Sequence, residues 1–383
     1  MAATAGALPA AVPHTRIRSA VRTWLFILAA LVIAMVAVGG ATRLTGSGLS
    51  ITEWKPVTGA IPPLSEAAWE HEFEKYRQIP QYELVNKGMN LSEFKAIYFW
   101  EWGHRQLGRF LGVAFFIPLA WYWIRRAISG RLALALLGVG ALGGLQAAVG
   151  WIMVASGLEP GMTAVAPIKL ALHLIIASAI FAALVWVAIG IAPPPGGGSG
   201  TPIEATASRA LVAPTGDDRG MGEGRTVPYA LLALVFVQIA LGGLVAGSKA
   251  GLTYNTWPLM DGELIPAASA LFVVEPWIEN FVDNVVLVQF NHRLAAYALV
   301  AIAVWHAWSL SRRAAGSAAA RRARMIGGLA VAQMTLGIMT LVLEDPLWAG
   351  LSHQVFAMVV LGMTVVHARL SGLERRISGS SRS

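Results

Sequence analysis

Residues 39–63 read GGATRLTGSGLSITEWKPVTGAIPP, and residues 242–266 read GGLVAGSKAGLTYNTWPLMDGELIP. At an offset of 203, Gly39 and Gly242, Gly40 and Gly243, Gly48 and Gly251, Leu49 and Leu252, Trp54 and Trp257, Gly59 and Gly262, and Pro63 and Pro266 coincide. Self-similarity at a fixed offset marks a repeated unit. With gaps the match extends further: His104-Arg105 answers His292-Arg293, Gln146 and Gly150 answer Gln333 and Gly337, and His173 answers His353.

The matched stretches follow long apolar runs. Of the 383 residues, 56% are hydrophobic and 13% charged, too apolar a balance for a soluble chain of this length. Apolar windows of about 20 residues, the length a helix needs to cross a bilayer, fall near 23–42, 104–124, 132–154, 168–191, 228–246, 291–310, 322–343 and 350–370. The first, preceded by Arg16, Arg18 and Arg22, is too long for a signal peptide and has no clear cleavage site, so it reads as a retained helix. The expected fold is an all-α polytopic membrane protein. Its eight transmembrane helices form two tandem four-helix bundles related by a pseudo-two-fold along the membrane normal. The halves are 1–191 and 228–383. Residues 192–227, rich in Pro, Gly and Ser, are expected to form a flexible linker. The outer loop at about 44–100 suggests an amphipathic helix around Glu66–Arg77; its counterpart spans about 247–290.

An even number of spans puts both termini on one side. The segments sharing that side hold 18 of the 29 Lys+Arg but only 5 of the 21 Asp+Glu, which assigns it to the cytoplasm. The net charge of +8 is thus mainly a topology signal. It suits contact with anionic lipid heads and gives no reason to expect nucleic acid. With no cysteine, disulfides, thiolate metal sites and covalent haem attachment are excluded, so a metal must be held by His, carboxylate or Met.

His104, His173, His292 and His353 all fall at the outer ends of the expected helices, two per half. One such histidine is ordinarily an interfacial residue bonding a neighbour; four at repeat-related positions point to ligation. A neutral imidazole binds haem iron, and two from facing helices give a six-coordinate bis-histidine site. Zinc, the rival, prefers three or four converging ligands. His14 and His71 lie in polar segments. His306 and His367 lie near inner ends where Pro118 and Val187 occupy the matching places, so they read as structural or interfacial.

Arg105 and Arg293 directly follow the first histidine of each pair, and Arg109 is one turn on. They read either as interfacial anchors or as partners for a haem propionate. The halves differ in one telling place: Glu101-Trp102-Gly103-His104 faces Gln289-Phe290-Asn291-His292. Glu101, three residues before His104, shares its helical face. It is either a general acid or base beside a macrocycle or a surface carboxylate at a helix N-terminus.

Taken as a set, Glu101-x-x-His104-Arg105, Asn291-His292-Arg293, His173, His353, the repeat and the eight helices resemble the haem A synthase family. The closest likeness is to its cysteine-free alphaproteobacterial, mitochondrial-like type, along essentially the whole chain. The resemblance implies an oxidoreductase that converts haem O to haem A by oxidising a ring methyl to a formyl group for terminal oxidases. It implies that His104 and His173 serve the substrate haem O, that His292 and His353 ligate a haem b iron, and that Glu101 is required for activity. Successive oxidations give an alcohol and then the hydrated aldehyde. Either electrons leave for haem b while water attacks and Glu101 accepts a proton, or oxygen is activated on iron. The resemblance further implies a bacterial inner membrane with the haem sites toward the periplasmic face. Haem O synthase and cytochrome oxidase assembly factors are then its partners, with a homo-oligomer left open. Relatives with a cysteine pair in the first outer loop differ here, so a thiol step is excluded. Two other classes compete: a di-haem cytochrome b-like electron carrier, which leaves the Glu101/Gln289 difference unexplained, and a duplicated transporter, against which stands the lack of ionisable midplane residues.

Overall fold

A computed structural model describes residues 14–191 and 226–380. The expected linker lies almost wholly outside these residues. Among the described residues the chain is all-helical, with eight helices long and apolar enough to cross a membrane. In chain order the helices are α1 (His14–Leu44), α2 (Glu66–Arg77), α3 (Pro80–Leu84), α4 (Leu91–Ile124), α5 (Gly130–Gly157), α6 (Pro167–Gly190), α7 (Val227–Gly247), α8 (Ala268–Leu271), α9 (Asn280–Asp283), α10 (Val285–Arg313), α11 (Ala318–Val342) and α12 (Leu347–Ser380). The amphipathic helix expected at Glu66–Arg77 is α2, capped by Ser65 and burying Trp69, Phe73 and Tyr76.

Two helix starts lie further out than the apolar windows suggest. Helix α4 begins at Leu91 rather than 104, and α10 at Val285 rather than 291. His104 and His292 are therefore inside helices and not at their starts. The reason is local chemistry: Asn90 Oδ1 accepts from Glu93 N and Glu93 Oε2 accepts from Asn90 N, a capping box that starts a helix regardless of hydropathy. Asn284 likewise accepts from Val286 N and Leu287 N. At 1.5 Å per residue, the 34 residues of α4 extend about 50 Å against about 30 Å of hydrocarbon. Its first turns thus exceed the length of an apolar span, so that Glu93 and Lys95 need not lie within it.

In the first half α1 packs on α4 and α6, and α5 on α6; in the second, α7 and α11 pack on α10, and α12 on α7 and α11. The halves meet through α6 with α7 and α12, and through α1 with α12. Small residues permit the first seam: a Cβ on Gly243 would lie 2.8 Å from Ala171 Cα, and one on Gly247 2.6 Å from Pro167 Cα. This four-residue spacing of small residues is the device by which helices approach in lipid, where apolar burial offers little driving force. The contacts of α1 with the second half are polar instead: Gln354 Nε2 of α12 donates to Val36 O at 2.9 Å, Arg43 Nη1 donates to Ala246 O of α7 at 3.0 Å, and Arg43 Nη2 pairs at 3.3 Å with Asp345, just before α12. Outward faces carry Phe110, Ile117, Trp121, Trp305 and Trp308, exposed as lipid-facing residues are.

Candidate functional site

Each of the four expected ligand histidines lies against a glycine of a neighbouring helix. A Cβ on Gly39 of α1 would sit 3.0 Å from His104 Nε2, and one on Gly150 of α5 2.8 Å from His173 Cε1. In the second half a Cβ on Gly242 of α7 would sit 3.2 Å from His292 Cε1, and one on Gly337 of α11 2.7 Å from His353 Cε1. Distances this short leave no room for a larger side chain, so these glycines let the imidazoles occupy the helix interfaces. The four glycines are the repeat-matched pairs of the sequence, which ties the repeat to ring placement.

Glutamines complete three of the four positions. Gln146 Nε2 lies 3.1 Å from His173 Nε2, Gln238 Nε2 lies 3.1 Å from His292 Nδ1, and Gln333 Nε2 lies 3.2 Å from His353 Nδ1. Gln238 and Gln333 also donate to the carbonyl oxygens of their histidines. The amide oxygen of each of the three glutamines is buried without a partner.

The rings of His292 and His353 have centroids 6.5 Å apart at an interplanar angle of 81°. A metal–imidazole bond of about 2 Å on each side, plus roughly 1 Å from ring nitrogen to ring centre, places two trans ligands about 6 Å apart. The 6.5 Å between the second-half rings is of that size. His306 and His367 present the opposite case. Their Nε2 atoms are 2.9 Å apart and their centroids 5.2 Å, so the nitrogens face head-on with room for a shared proton and none for a metal. Both are buried, and Arg322 Nε donates to His367 Nδ1 at 3.4 Å. The reading of them as structural sharpens into a buried polar contact joining α10, α11 and α12. Each lies 14 residues after an outer histidine on the same helix, close to four turns, a spacing that could have paired them from sequence.

Glu101 is 3% exposed and accepts from four donors. Oε2 accepts from Ser50 Oγ and Ile51 N, both at 2.8 Å; Oε1 accepts from Arg105 Nε at 3.1 Å and Nη2 at 2.5 Å. The reading as a surface carboxylate at a helix N-terminus does not hold: Glu101 lies in the fourth turn of α4 beneath the first outer loop. Gln289 occupies the corresponding place with reversed polarity. Its Nε2 donates to Ala250 O at 2.9 Å and Tyr254 O at 3.2 Å, and its Oε1 accepts from Arg293 Nη2 at 3.4 Å. At this one position the first half engages its loop through a backbone N–H and a hydroxyl, the second through backbone carbonyls. Sequence reasoning missed Ser50 and Ile51, because nothing in residue type announces a loop N–H aimed at a helix.

The arginines strap the outer loops down. Arg105 donates to Ile51 O and Glu53 O, Arg109 to Lys55 O and Pro56 O, and Gln106 to Ala60 O. Arg293 donates to Tyr254 O, Thr256 O and Leu259 O, and its Nε is buried without a partner. Lys55 and Lys75 bridge Glu53 and Glu72, fixing the loop to α2. Hydrogen bonds from these lysines hold the Glu53 carboxyl down at about 2, and Glu53 in turn raises Lys55.

Known proteins resemble this chain along most of its length. Residues 22–365 match a family described as cytochrome oxidase assembly protein. A protein called haem A synthase from Methylobacterium sp. (strain 4-46) is 62% identical over 361 residues, 94% of each chain. One from Methylobacterium nodulans is 64% identical over 347 residues, 91% of each chain. A more distant haem A synthase, from Brucella ovis, is 48% identical over 356 residues, 93% of each chain.

Proposed function

The chain belongs to the cytochrome oxidase assembly protein family, and from that premise we propose that it is a haem A synthase, an oxidoreductase of the bacterial inner membrane converting haem O to haem A. The observation that carries this reading is the His292–His353 pair, spaced for one iron in a chain whose near relatives bear that name along almost their whole length. The di-haem carrier reading gains nothing from the same comparison.

In this proposal His104 and His173 of residues 1–191 would hold the substrate haem O, and His292 and His353 of residues 228–383 would hold haem b. The matched glycine–histidine and glutamine–histidine contacts support a pseudo-two-fold relation between the halves. Bound haem supplies one-electron chemistry at iron. The protein's own contribution is to orient and to handle protons. Glu101 stands three residues before His104 on α4 as a carboxylate accepting from four donors. To take up a proton it must release one of them. Ser50 is the donor free to leave, since its hydroxyl already reaches Ile97 O at 3.3 Å and a hydroxyl rotates between partners. Protonation is thereby directed to Oε2, the atom Ser50 vacates. Arg105 and Arg293 enter as cations that offset haem propionates from guanidinium groups already fixed by the outer loops. Both termini are cytoplasmic and the histidines lie toward the outer face, as the arginine distribution indicates. Haem O synthase and oxidase assembly factors are the partners that supply the substrate and use the product.

The test is expression with a source of haem O, chromatography of the extracted haems and optical spectroscopy of the purified protein. Haem A accumulates with wild type, and His292→Ala or His353→Ala removes the low-spin haem b spectrum. An unchanged spectrum in both variants would sink the ligand assignment, and absence of haem A with wild type would sink the function.

A further inference from the structure

Three of the four histidines meet a glutamine amide; His104 is the exception. Position 35, which precedes Gly39 as 238 precedes Gly242, is methionine. Its Cε lies 3.3 Å from where a Cβ on Gly108 would stand, one turn along α4 from His104. Met35 thus meets its neighbouring helix one turn beyond His104, whereas Gln238 meets His292 itself, and it carries a thioether in place of an amide.

The difference matters for an iron ligand. An imidazole that binds iron through one nitrogen carries its proton on the other, and that proton needs an acceptor to fix the ring's tautomer and orientation. Gln238 Oε1 and Gln333 Oε1 are buried and unpartnered, while the Nε2 of each amide lies on the ring. A half-turn of the amide would bring Oε1 to the ring N–H in exchange for the Nε2 bond to the histidine's own carbonyl. A thioether is only a weak acceptor. His173 keeps its glutamine, Gln146, so among the ring contacts the halves differ at positions 35 and 238.

We propose that Gln238 is the positioning residue that makes His292 a retained ligand, and that Met35 leaves His104 an exchangeable one. One half then keeps its haem through turnover while the other binds and releases. This inference rests on the haem reading above. Loss of such an outer contact typically costs 10–100-fold in metal affinity, enough to separate a resident group from a transient one.

The reciprocal exchange tests it, because Met and Gln are close in length and the substitutions preserve core volume. Full-length protein in lipid nanodiscs is loaded with haem b as probe, and haem loss to excess apomyoglobin is followed in time. Wild type should lose one haem fast and one slowly. Gln238→Met should accelerate the slow phase about 10–100-fold and shift the midpoint potential of the retained haem. Gln238→Glu, an acceptor of the same length, should restore retention, and Met35→Gln should slow the fast phase. The proposal is overturned if Gln238→Met matches wild type in both off-rate and potential, or if Gln238→Glu fails to restore retention. Should Gln238→Met fail to fold, Met35→Gln decides alone, and an unchanged fast phase counts against the idea. His292→Ala separates the two levels: if it keeps the slow haem, the ligand assignment falls; if it loses that haem while Gln238→Met does not, only this inference falls.

Discussion

At the scale of single residues, the distinction between the halves comes down to what a side chain offers to a loop. Glu101 presents two oxygens to Ser50 Oγ, Ile51 N and Arg105, whereas Gln289 presents an NH2 to two carbonyls. Glu101→Gln therefore keeps the shape but meets two donors with a third. It should retain the haem b spectrum while haem A formation falls about 10²-fold or more, the contribution usual for a positioned proton acceptor. Haem chromatography beside the optical spectrum checks this, and full conversion by the variant would remove Glu101 from the chemistry. The residue types at these positions were legible in the sequence; their polarity toward the loops was not, because it depends on which backbone groups the loop turns inward.

Among elements, the first outer loop and α2 act as one piece. Lys75 bonds Glu53 at 2.6 Å and Glu72 at 2.9 Å, and Arg105, Gln106 and Arg109 tie the loop to α4. The folded-state pKa of Glu53 is depressed from 4.5 to about 2. Its contribution is therefore fully present above pH 4.5 and is lost as pH falls toward 2. The group is largely solvated, so its worth is that of a surface pair, on the order of 1 kcal/mol or less. Glu53→Gln should lower the thermal midpoint slightly at pH 6, and the gap to wild type should close as pH is lowered through 4 to 2. A gap that persists at pH 2 would show that the effect is not electrostatic. The helix bounds teach a related lesson. Apolar windows located the spans but not the ends of α4 and α10, since capping by Asn90 and Asn284 extends them through sequence too polar for hydropathy to count.

For the whole molecule, the two seams between the halves differ in kind. The α6–α7 contact is backbone-close at Gly243 and Gly247, while α1 is tied to α12 by Gln354 and to the turn before it by the Arg43–Asp345 pair. Gly243→Leu must push α7 off Ala171, overpacking that should cost about 1–3 kcal/mol and loosen the packing behind Gly242 and His292. Lower thermal stability together with weaker haem retention is the expected outcome. A variant as stable as wild type would mean that the halves are not held by this seam.

The amino-acid sequence by itself determined the number of long apolar helices, the stretches that match at a fixed offset, the candidate ligands and the Glu101/Gln289 difference. Each of these is carried by hydropathy, by spacing or by identity at matched positions, which are properties of the chain alone. Only the tertiary structure decided that the histidines lie inside helices against glycines, that the rings of His292 and His353 stand 6.5 Å apart while the Nε2 atoms of His306 and His367 stand 2.9 Å apart, and that Glu101 is closed beneath a loop. Those facts rest on distances between helices far apart in sequence, and such distances are set by how closely side chains of given size let two backbones approach.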